Sequence, residues 1–183
     1  MAYGKKEADN RRFVPSIRSI FYLISFILIF GLTCAELGLV SQQIHKYGRF
    51  AENWASLQYR NVVGLLLCAV LVSLLITIFH FWLSVSFIAF FSLILSVFFG
   101  IGGGVIRTTT PFRRSCGTPT QNYPEKWQRF AGECTRIVAM QGISWSLFAL
   151  YFFLLVGSLA YLFRISPRPT PGGFYGSHTR SVV

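Results

Sequence analysis

The sequence predicts an all-α integral membrane protein, a bundle of four transmembrane helices with short interfacial helices in its first and third loops. Of its 183 residues, 53% are apolar and only 13% are charged, whereas a soluble domain carries about 25% charged residues. The mean hydropathy is +0.53. The apolar residues form runs of about 20 residues, the length that crosses a bilayer as a helix. This composition excludes a disordered or fibrous chain.

The four predicted spans form one membrane domain, residues 19–163. The stretch from Asn61 to Ile106 contains no Lys, Arg, Asp or Glu. As one helix it would be roughly 65 Å long, about twice the thickness of the hydrocarbon core. It must therefore fold back, and the bend is predicted near His80 and Trp82 because His and Trp favour the membrane boundary. The predicted spans are about 19–40, 62–79, 83–106 and 137–163.

Four spans place both ends of the membrane domain on the same side. The segment 1–18 and the tail 164–183 together carry eight Lys and Arg residues, and the first and third loops carry nine. These totals do not decide the orientation, but the basic cluster of residues 1–18 favours a cytosolic N-terminal segment. Segment 164–183 is rich in Pro and Gly and is predicted to be a flexible tail. The predicted location is the plasma membrane or the secretory pathway.

The first loop, from Ser41 to Arg60, contains regularly spaced aromatic residues. Tyr47, Phe50 and Trp54 are three and four residues apart, so on a helix they would share one face. A short helix lying in the headgroup layer is one interpretation. The alternative is an irregular loop whose aromatic residues form a belt at the boundary.

The third loop, from Arg107 to Arg136, repeats this aromatic pattern. Tyr123, Trp127 and Phe130 follow one another at spacings of four and three, beside Pro124. Proline is favoured in the first turn of a helix. The pattern predicts a second short interfacial helix in this loop.

Two of the four cysteines, Cys116 and Cys134, lie in the third loop, eighteen positions apart. If that loop is exoplasmic, they can form a disulfide, worth about 3 kcal/mol in the chain-entropy model. The alternative is a pair of free thiols. No metal site and no cofactor are predicted, because none of the three histidines has ligand spacing to these cysteines.

A few small and polar residues stand out within the spans. Gly100 with Gly104, and Gly142 with Ser146, form small-xxx-small pairs that allow helices to approach closely. Glu36 is the only acidic residue in a span, and it is predicted near the boundary with Lys46, Arg107 or Arg136 as its partner. Gln141 is predicted to form a hydrogen bond between helices.

Catalytic motifs are absent from the sequence. It contains no serine-hydrolase elbow, no HExxH, no P-loop and no paired intramembrane carboxylates. Six acidic residues and three histidines leave little material for acid–base catalysis, so no catalytic residue is predicted. The net charge of +11 comes from basic residues that flank the apolar runs. This position favours anionic lipid rather than nucleic acid as the partner.

The chain resembles the MARVEL-domain tetraspan family, and especially its fungal branch related to eisosome-associated and non-classical-export proteins. The resemblance lies in the four spans, in the tight bend between the second and third spans, and in the stretch 132–136, Gly-Glu-Cys-Thr-Arg. Ala139 and an aromatic-rich span through Trp145 follow this stretch. Cys116, shortly after Arg107, also fits. The resemblance covers roughly residues 18–163. It implies a non-enzymatic role in membrane organisation or trafficking, associated with sterol-rich microdomains.

Two other functions fit the same features. The chain is alternatively an accessory subunit that packs against a larger membrane enzyme or transporter through its small-residue faces. A second copy of the chain is an alternative partner. A small channel or transporter that uses Glu36 and Gln141 is the third hypothesis.

Overall fold

A computed structural model describes residues 17–48, 50–112 and 116–162, which are helical and contain no strand. Four helices are long and apolar enough to cross a membrane, which confirms the predicted number of spans. They are α1 (Ile17–Tyr47), α2 (Leu57–Phe79), α3 (Val85–Thr109) and α5 (Cys134–Leu162), with the four-residue α4 (Glu125–Gln128) between the last two. The predicted cytosolic segment before α1 and the predicted flexible tail after α5 lie outside the described residues.

The helices extend beyond the apolar runs that predicted them. Helix α1 continues seven residues past Val40, and α2 begins five residues before Val62. A serine starts each helix of the central hairpin: Ser56 Oγ accepts a hydrogen bond from the Tyr59 amide (3.0 Å), and Ser84 Oγ accepts one from the Phe87 amide (3.3 Å). Such caps stabilise a helix by about 1 kcal/mol. Hydrogen-bonded backbone can continue into the headgroup region, where side chains need not be apolar, so hydropathy alone underestimates helix length.

The long helices form a ring in which each helix packs against two others. The neighbouring pairs are α1 with α2, α2 with α3, α3 with α5, and α5 with α1. Large apolar side chains fill the interior, among them Ile29, Leu66, Ile88, Leu95 and Phe99. Equally large ones point outward, including Phe21, Leu75, Phe90 and Phe153. Apolar residues on all sides are expected of helices that are surrounded by lipid.

Glycines allow α3 to approach its neighbours, but they are not the predicted pairs. A Cβ added to Gly100 would lie 3.1 Å from the Phe148 ring, and one added to Gly103 would lie 3.0 Å from the Trp145 indole nitrogen. Around Gly104 and Gly142, by contrast, an added Cβ would meet no atom within 4 Å. The prediction is thus right for Gly100 and wrong for Gly104, because the face that meets α5 carries glycines three residues apart.

The pair Gly142 and Ser146 does not lie at a contact between helices of this chain. Ser146 is exposed, and its hydroxyl donates to the carbonyl oxygen of Gly142 in its own helix (2.9 Å). This hydrogen bond satisfies the hydroxyl without a neighbouring helix. The predicted packing role within the bundle is therefore wrong for this pair.

The two predicted interfacial helices are not confirmed. In the first loop Tyr47 is the last residue of α1, and only one 3-10 turn, Ala51–Asn53, follows before α2. Phe50 is 76% exposed, whereas Tyr47 and Trp54 are buried, so these three residues do not share one face. In the third loop, α4 contains Trp127 but neither Tyr123 nor Phe130.

The aromatic residues of both loops instead pack against one another. We call this cluster the aromatic cap, and its members are Tyr47, Trp54, Tyr59, Phe112, Tyr123, Trp127 and Phe130. Ring centroids are 4.3 Å apart for Tyr47 and Phe130, and 5.5 Å apart for Tyr59 and Trp127. Rings that pack against one another are more stable than rings arranged along one face of an interfacial helix, because each packed ring removes a large apolar area from water. The cap covers one end of the bundle.

Candidate functional site

One face of α1 is buried along the bundle axis and carries polar residues. The buried positions follow a spacing of alternating three and four residues, which keeps one face of a helix against its neighbours: they are Phe26, Ile29, Thr33, Glu36, Val40, Gln43 and Tyr47. Thr33, Glu36 and Gln43 are each exposed by 1% or less. We call these three residues, with their partners Ser73, Ser144 and Tyr151, the polar seam.

Hydrogen bonds in the polar seam connect three spans. Thr33 Oγ1 lies 2.9 Å from Ser73 Oγ, and Ser73 Oγ lies 2.6 Å from the Tyr151 hydroxyl. These contacts join α1 to α2 and α2 to α5. In an apolar membrane interior such hydrogen bonds hold helices together by about 0.6 kcal/mol each. These residues were not predicted from the sequence. Thr33 could have been, because it lies three residues before Glu36 and therefore on the same face of α1.

Glu36 has a different partner than predicted. Its side chain is fully buried, and Oε1 accepts a hydrogen bond from Ser144 Oγ of α5 (2.9 Å). Its second oxygen, Oε2, has no hydrogen-bond partner among the described residues. Because α1 continues to Tyr47, Glu36 lies eleven residues, or roughly 16 Å, before the end of the helix.

Lys46 and Arg136, two of the predicted partners of Glu36, pair with Glu133 instead. Lys46 Nζ contacts Glu133 Oε1, and Arg136 Nη1 lies 2.7 Å from Glu133 Oε2. The Glu133 side chain is 7% exposed, whereas both cations are about half exposed. This ion-pair cluster joins the end of α1 to the start of α5. The third predicted partner, Arg107, lies in the last turn of α3.

The predicted cysteine pair is present beside the ion-pair cluster. The sulfur atoms of Cys116 and Cys134 are 2.01 Å apart and their Cα atoms 5.7 Å apart. Cys134 directly follows Glu133 at the start of α5. The third loop is therefore tied to the same point at which the ion pairs hold α1.

Outside the ion-pair cluster, a polar cleft opens between α1 and α5. Its volume is about 620 Å³, and we call it the cationic cleft. It is lined by Ser41, Gln42, His45, Lys46 and Arg136. Lys46 and Arg136 carry two positive charges against the single negative charge of Glu133, so one positive charge remains uncompensated at this point.

The second polar span residue predicted from the sequence, Gln141, is half-buried on α5. Among the described residues, the hydrogen bonds of the polar seam do not include the Gln141 side chain. The hydrogen bonds between helices in the polar seam come instead from hydroxyl groups, those of Thr33, Ser73, Ser144 and Tyr151.

His80 ends α2 at the bend that the sequence predicted. Its Nδ1 donates to the carbonyl oxygen of Thr77, and its ring stacks on Phe26 with centroids 4.1 Å apart. Burial lowers the pKa of His80, because a charged imidazolium is poorly solvated there, and the bond to Thr77 opposes part of this shift. The ring thus packs at the end of the bundle opposite the aromatic cap.

Within residues 17–48, 50–112 and 116–162, no three His, Cys, Asp or Glu side chains lie close enough together to hold a metal ion. The buried polar groups of this region are hydroxyl groups, one glutamine, one histidine and two glutamates. This arrangement can hold helices together and bind protons or water.

Comparison of the chain with protein-family models, with curated proteins and with solved structures finds no match.

Proposed function

We propose that this chain is a non-enzymatic four-span membrane protein that organises lipids and proteins laterally, in the manner expected of a MARVEL-like scaffold. The four apolar helices support residence in a membrane. The plasma membrane or a secretory membrane, with both termini in the cytosol, is the setting we infer for it. The proposal depends on the outer surface of the bundle, where lipid or another protein would make contact.

The observation that carries the proposal is the cationic cleft beside lipid-facing helix surface. Lys46 and Arg136 are about half exposed at the rim of the cleft, and His45 is exposed next to them. Farther along α1, beginning about 20 Å from Ser41, large apolar side chains face outward, including Ile24, Ile27 and Leu28. A phospholipid presents the same succession, a phosphate above acyl chains. Basic residues at this depth attract anionic lipid by about 1 kcal/mol each.

Lipid selection tests this proposal directly. The protein is reconstituted into nanodiscs of mixed anionic and zwitterionic phospholipid, and the bound lipids are counted by native mass spectrometry. We expect anionic lipid to be enriched, and Lys46→Gln to weaken its binding about fivefold, which corresponds to about 1 kcal/mol. Lys126→Gln is the matched control because Lys126 is exposed in the third loop, away from the cleft.

Equal binding of anionic and zwitterionic lipid by the wild type would contradict the cleft assignment. Because Lys46 also pairs with Glu133, thermal unfolding of Lys46→Gln is measured in parallel. His45→Ala removes a second group of the cleft without touching that ion pair, and it should weaken binding in the same direction.

The distribution of the protein in cells tests the scaffold role itself. A scaffold should gather into sterol-dependent patches, whereas uniform distribution that ignores sterol depletion would contradict the proposal. Purification in mild detergent tests the accessory-subunit alternative, which requires a larger protein in stoichiometric amount. Ion flux through the reconstituted protein would favour the channel alternative.

A further inference from the structure

Four buried oxygen atoms on α1 and α2 have no hydrogen-bond partner among the described residues. They are Glu36 Oε2, Gln43 Oε1, the Tyr47 hydroxyl and the Tyr59 hydroxyl. Only two other buried side-chain atoms of the described residues share this condition, on Ser92 and Tyr123. Buried polar atoms in proteins are almost always hydrogen-bonded to protein or to ordered water. An unsatisfied one costs about 1–3 kcal/mol, so four of them on two neighbouring helices indicate a bound partner.

These four atoms belong to side chains that follow one path through the bundle. Glu36, Gln43 and Tyr47 lie on the buried face of α1, separated by seven and four residues, or by about 10 Å and about 6 Å along the axis. Tyr59, which is fully buried on the neighbouring α2, packs against the rings of Trp54 and Phe130, the same two rings that Tyr47 contacts. The path begins at Tyr47, next to the ion-paired Lys46, and ends at Glu36.

We propose that this path binds a file of buried water molecules leading from the capped end of the bundle to Glu36, and that the Glu36 carboxyl group is an intramembrane proton-binding site. The ligands are water and the proton. The four unpartnered oxygens are the groups that would hold the water molecules. Each of them accepts a hydrogen bond, and the two tyrosine hydroxyls also donate one. The site is independent of the cationic cleft, since it lies inside the bundle.

The surroundings of Glu36 require the neutral form of the carboxyl group. Ser144, which faces it from α5, is uncharged, and the ion pairs of the described residues do not include Glu36. The charged groups nearest the path, Lys46, Glu133 and Arg136, are paired with one another at the boundary. A buried carboxylate without a cation is far more costly than the neutral acid. Glu36 is therefore a carboxylic acid at neutral pH.

The hydrogen-bonding geometry assigns the two oxygens of this acid. Oε1 accepts the Ser144 hydroxyl (2.9 Å) and serves as the carbonyl oxygen. Oε2 then carries the proton and needs an acceptor, which the described residues do not supply and a water molecule does. On release, the proton moves from Oε2 to that water molecule, and rebinding takes it from a hydronium ion of the same file, so no further reactant is needed.

Infrared spectroscopy of the protein in lipid nanodiscs tests the proposal. At neutral pH we expect the carbonyl stretch of a protonated carboxylic acid, and we expect it to shift to lower frequency in D₂O because water reaches the proton. Glu36→Gln should abolish this band. Glu125→Gln, which alters an exposed carboxyl group on α4, should leave it unchanged.

Two milder variants keep the test decisive if Glu36→Gln does not fold. Ser144→Ala removes the hydrogen bond to Oε1, so the band should persist and move to higher frequency. Gln43→Leu interrupts the file, so exchange with D₂O should become slower. A wild-type protein without the band at neutral pH, or with a band that does not shift in D₂O, would overturn the proposal. Neither result would affect lipid selection by the cationic cleft.

Discussion

Glu36 and Glu133 are two buried carboxyl groups that this protein stabilises in opposite ways. Glu133 lies at the start of α5 and receives hydrogen bonds from Lys46 and Arg136. Glu36 lies within the bundle and receives only the hydroxyl of Ser144. Cations are available at the membrane boundary, where their own charged groups remain half exposed. Farther inside, a hydroxyl is the less costly partner because it carries no charge to desolvate.

Glu133→Gln should destabilise the protein by about 1–2 kcal/mol. The substitution leaves Lys46 and Arg136 without their carboxylate, and the loss is smaller than for a fully buried pair because both cations reach solvent. Thermal unfolding in detergent measures the effect. Glu125→Gln serves as the control and should leave the unfolding temperature unchanged, since Glu125 is exposed. Equal stability of the two variants would show that the ion-pair cluster contributes nothing.

His80 should make stability depend on pH. Burial lowers the pKa of His80 in the folded state, so below the unfolded pKa of about 6.5 the unfolded chain binds more protons. Stability should therefore be complete above that value and fall as the pH decreases toward the folded pKa. We expect a lower unfolding temperature at about pH 5.5 than at about pH 7.5. His80→Gln should reduce this difference, whereas His45→Gln, at an exposed position, should retain it.

At the scale of the elements, α3 and α5 form a contact that depends on which glycines face the partner helix. Gly103 faces the indole of Trp145, and Gly100 faces the ring of Phe148. Gly104 is one residue farther along α3, about 100° around the helix from Gly103, and faces open space. Two adjacent glycines of one helix thus have different roles, and only the rotation of α3 about its axis separates them.

Gly103→Ala should destabilise the protein by about 1 kcal/mol or more, because the added methyl group would lie 3.0 Å from the Trp145 ring and force one of them to move. Gly104→Ala is the matched control and should change stability by less than about 0.5 kcal/mol. Thermal unfolding of both variants in the same detergent gives the comparison. If Gly104→Ala proved the more damaging substitution, the assigned face of α3 would be wrong.

At the scale of the whole molecule, the two ends of the bundle are built differently. One end is closed by the aromatic cap, the ion-pair cluster and the cysteine pair, which together hold both loops. Arg129 adds a link between these loops by donating to the backbone carbonyl of Glu52 (3.3 Å). The other end is the short bend at His80, where Phe81 and Trp82 are exposed. We expect the capped end to face the non-cytosolic side of the membrane, where oxidising conditions allow a disulfide to persist.

The cysteine pair should stabilise the whole bundle and report its orientation. Cys116→Ser should lower stability by about 3 kcal/mol, because it frees an eighteen-residue loop. Thermal unfolding with and without reductant measures this loss, and Cys68→Ser, at a free and exposed cysteine, is the control. In intact cells, an impermeant thiol reagent should label Cys116 and Cys134 from outside after reduction. Labelling only from the cytosolic side would reverse the proposed orientation.

The sequence alone determined the helical class, the number of spans and the bend at His80, and it identified Cys116 and Cys134 as a candidate pair. Each follows from local properties: the length of an apolar run, the absence of charge, or the separation of two cysteines. Rotation and register of the helices are not local properties, since large apolar residues occur both inside and outside the bundle. The tertiary structure therefore decided that Gly103 rather than Gly104 faces α5, and that Glu36 meets Ser144 rather than Lys46. It also decided that the loop aromatics bury one another, because rings from distant segments meet only once the spans have packed.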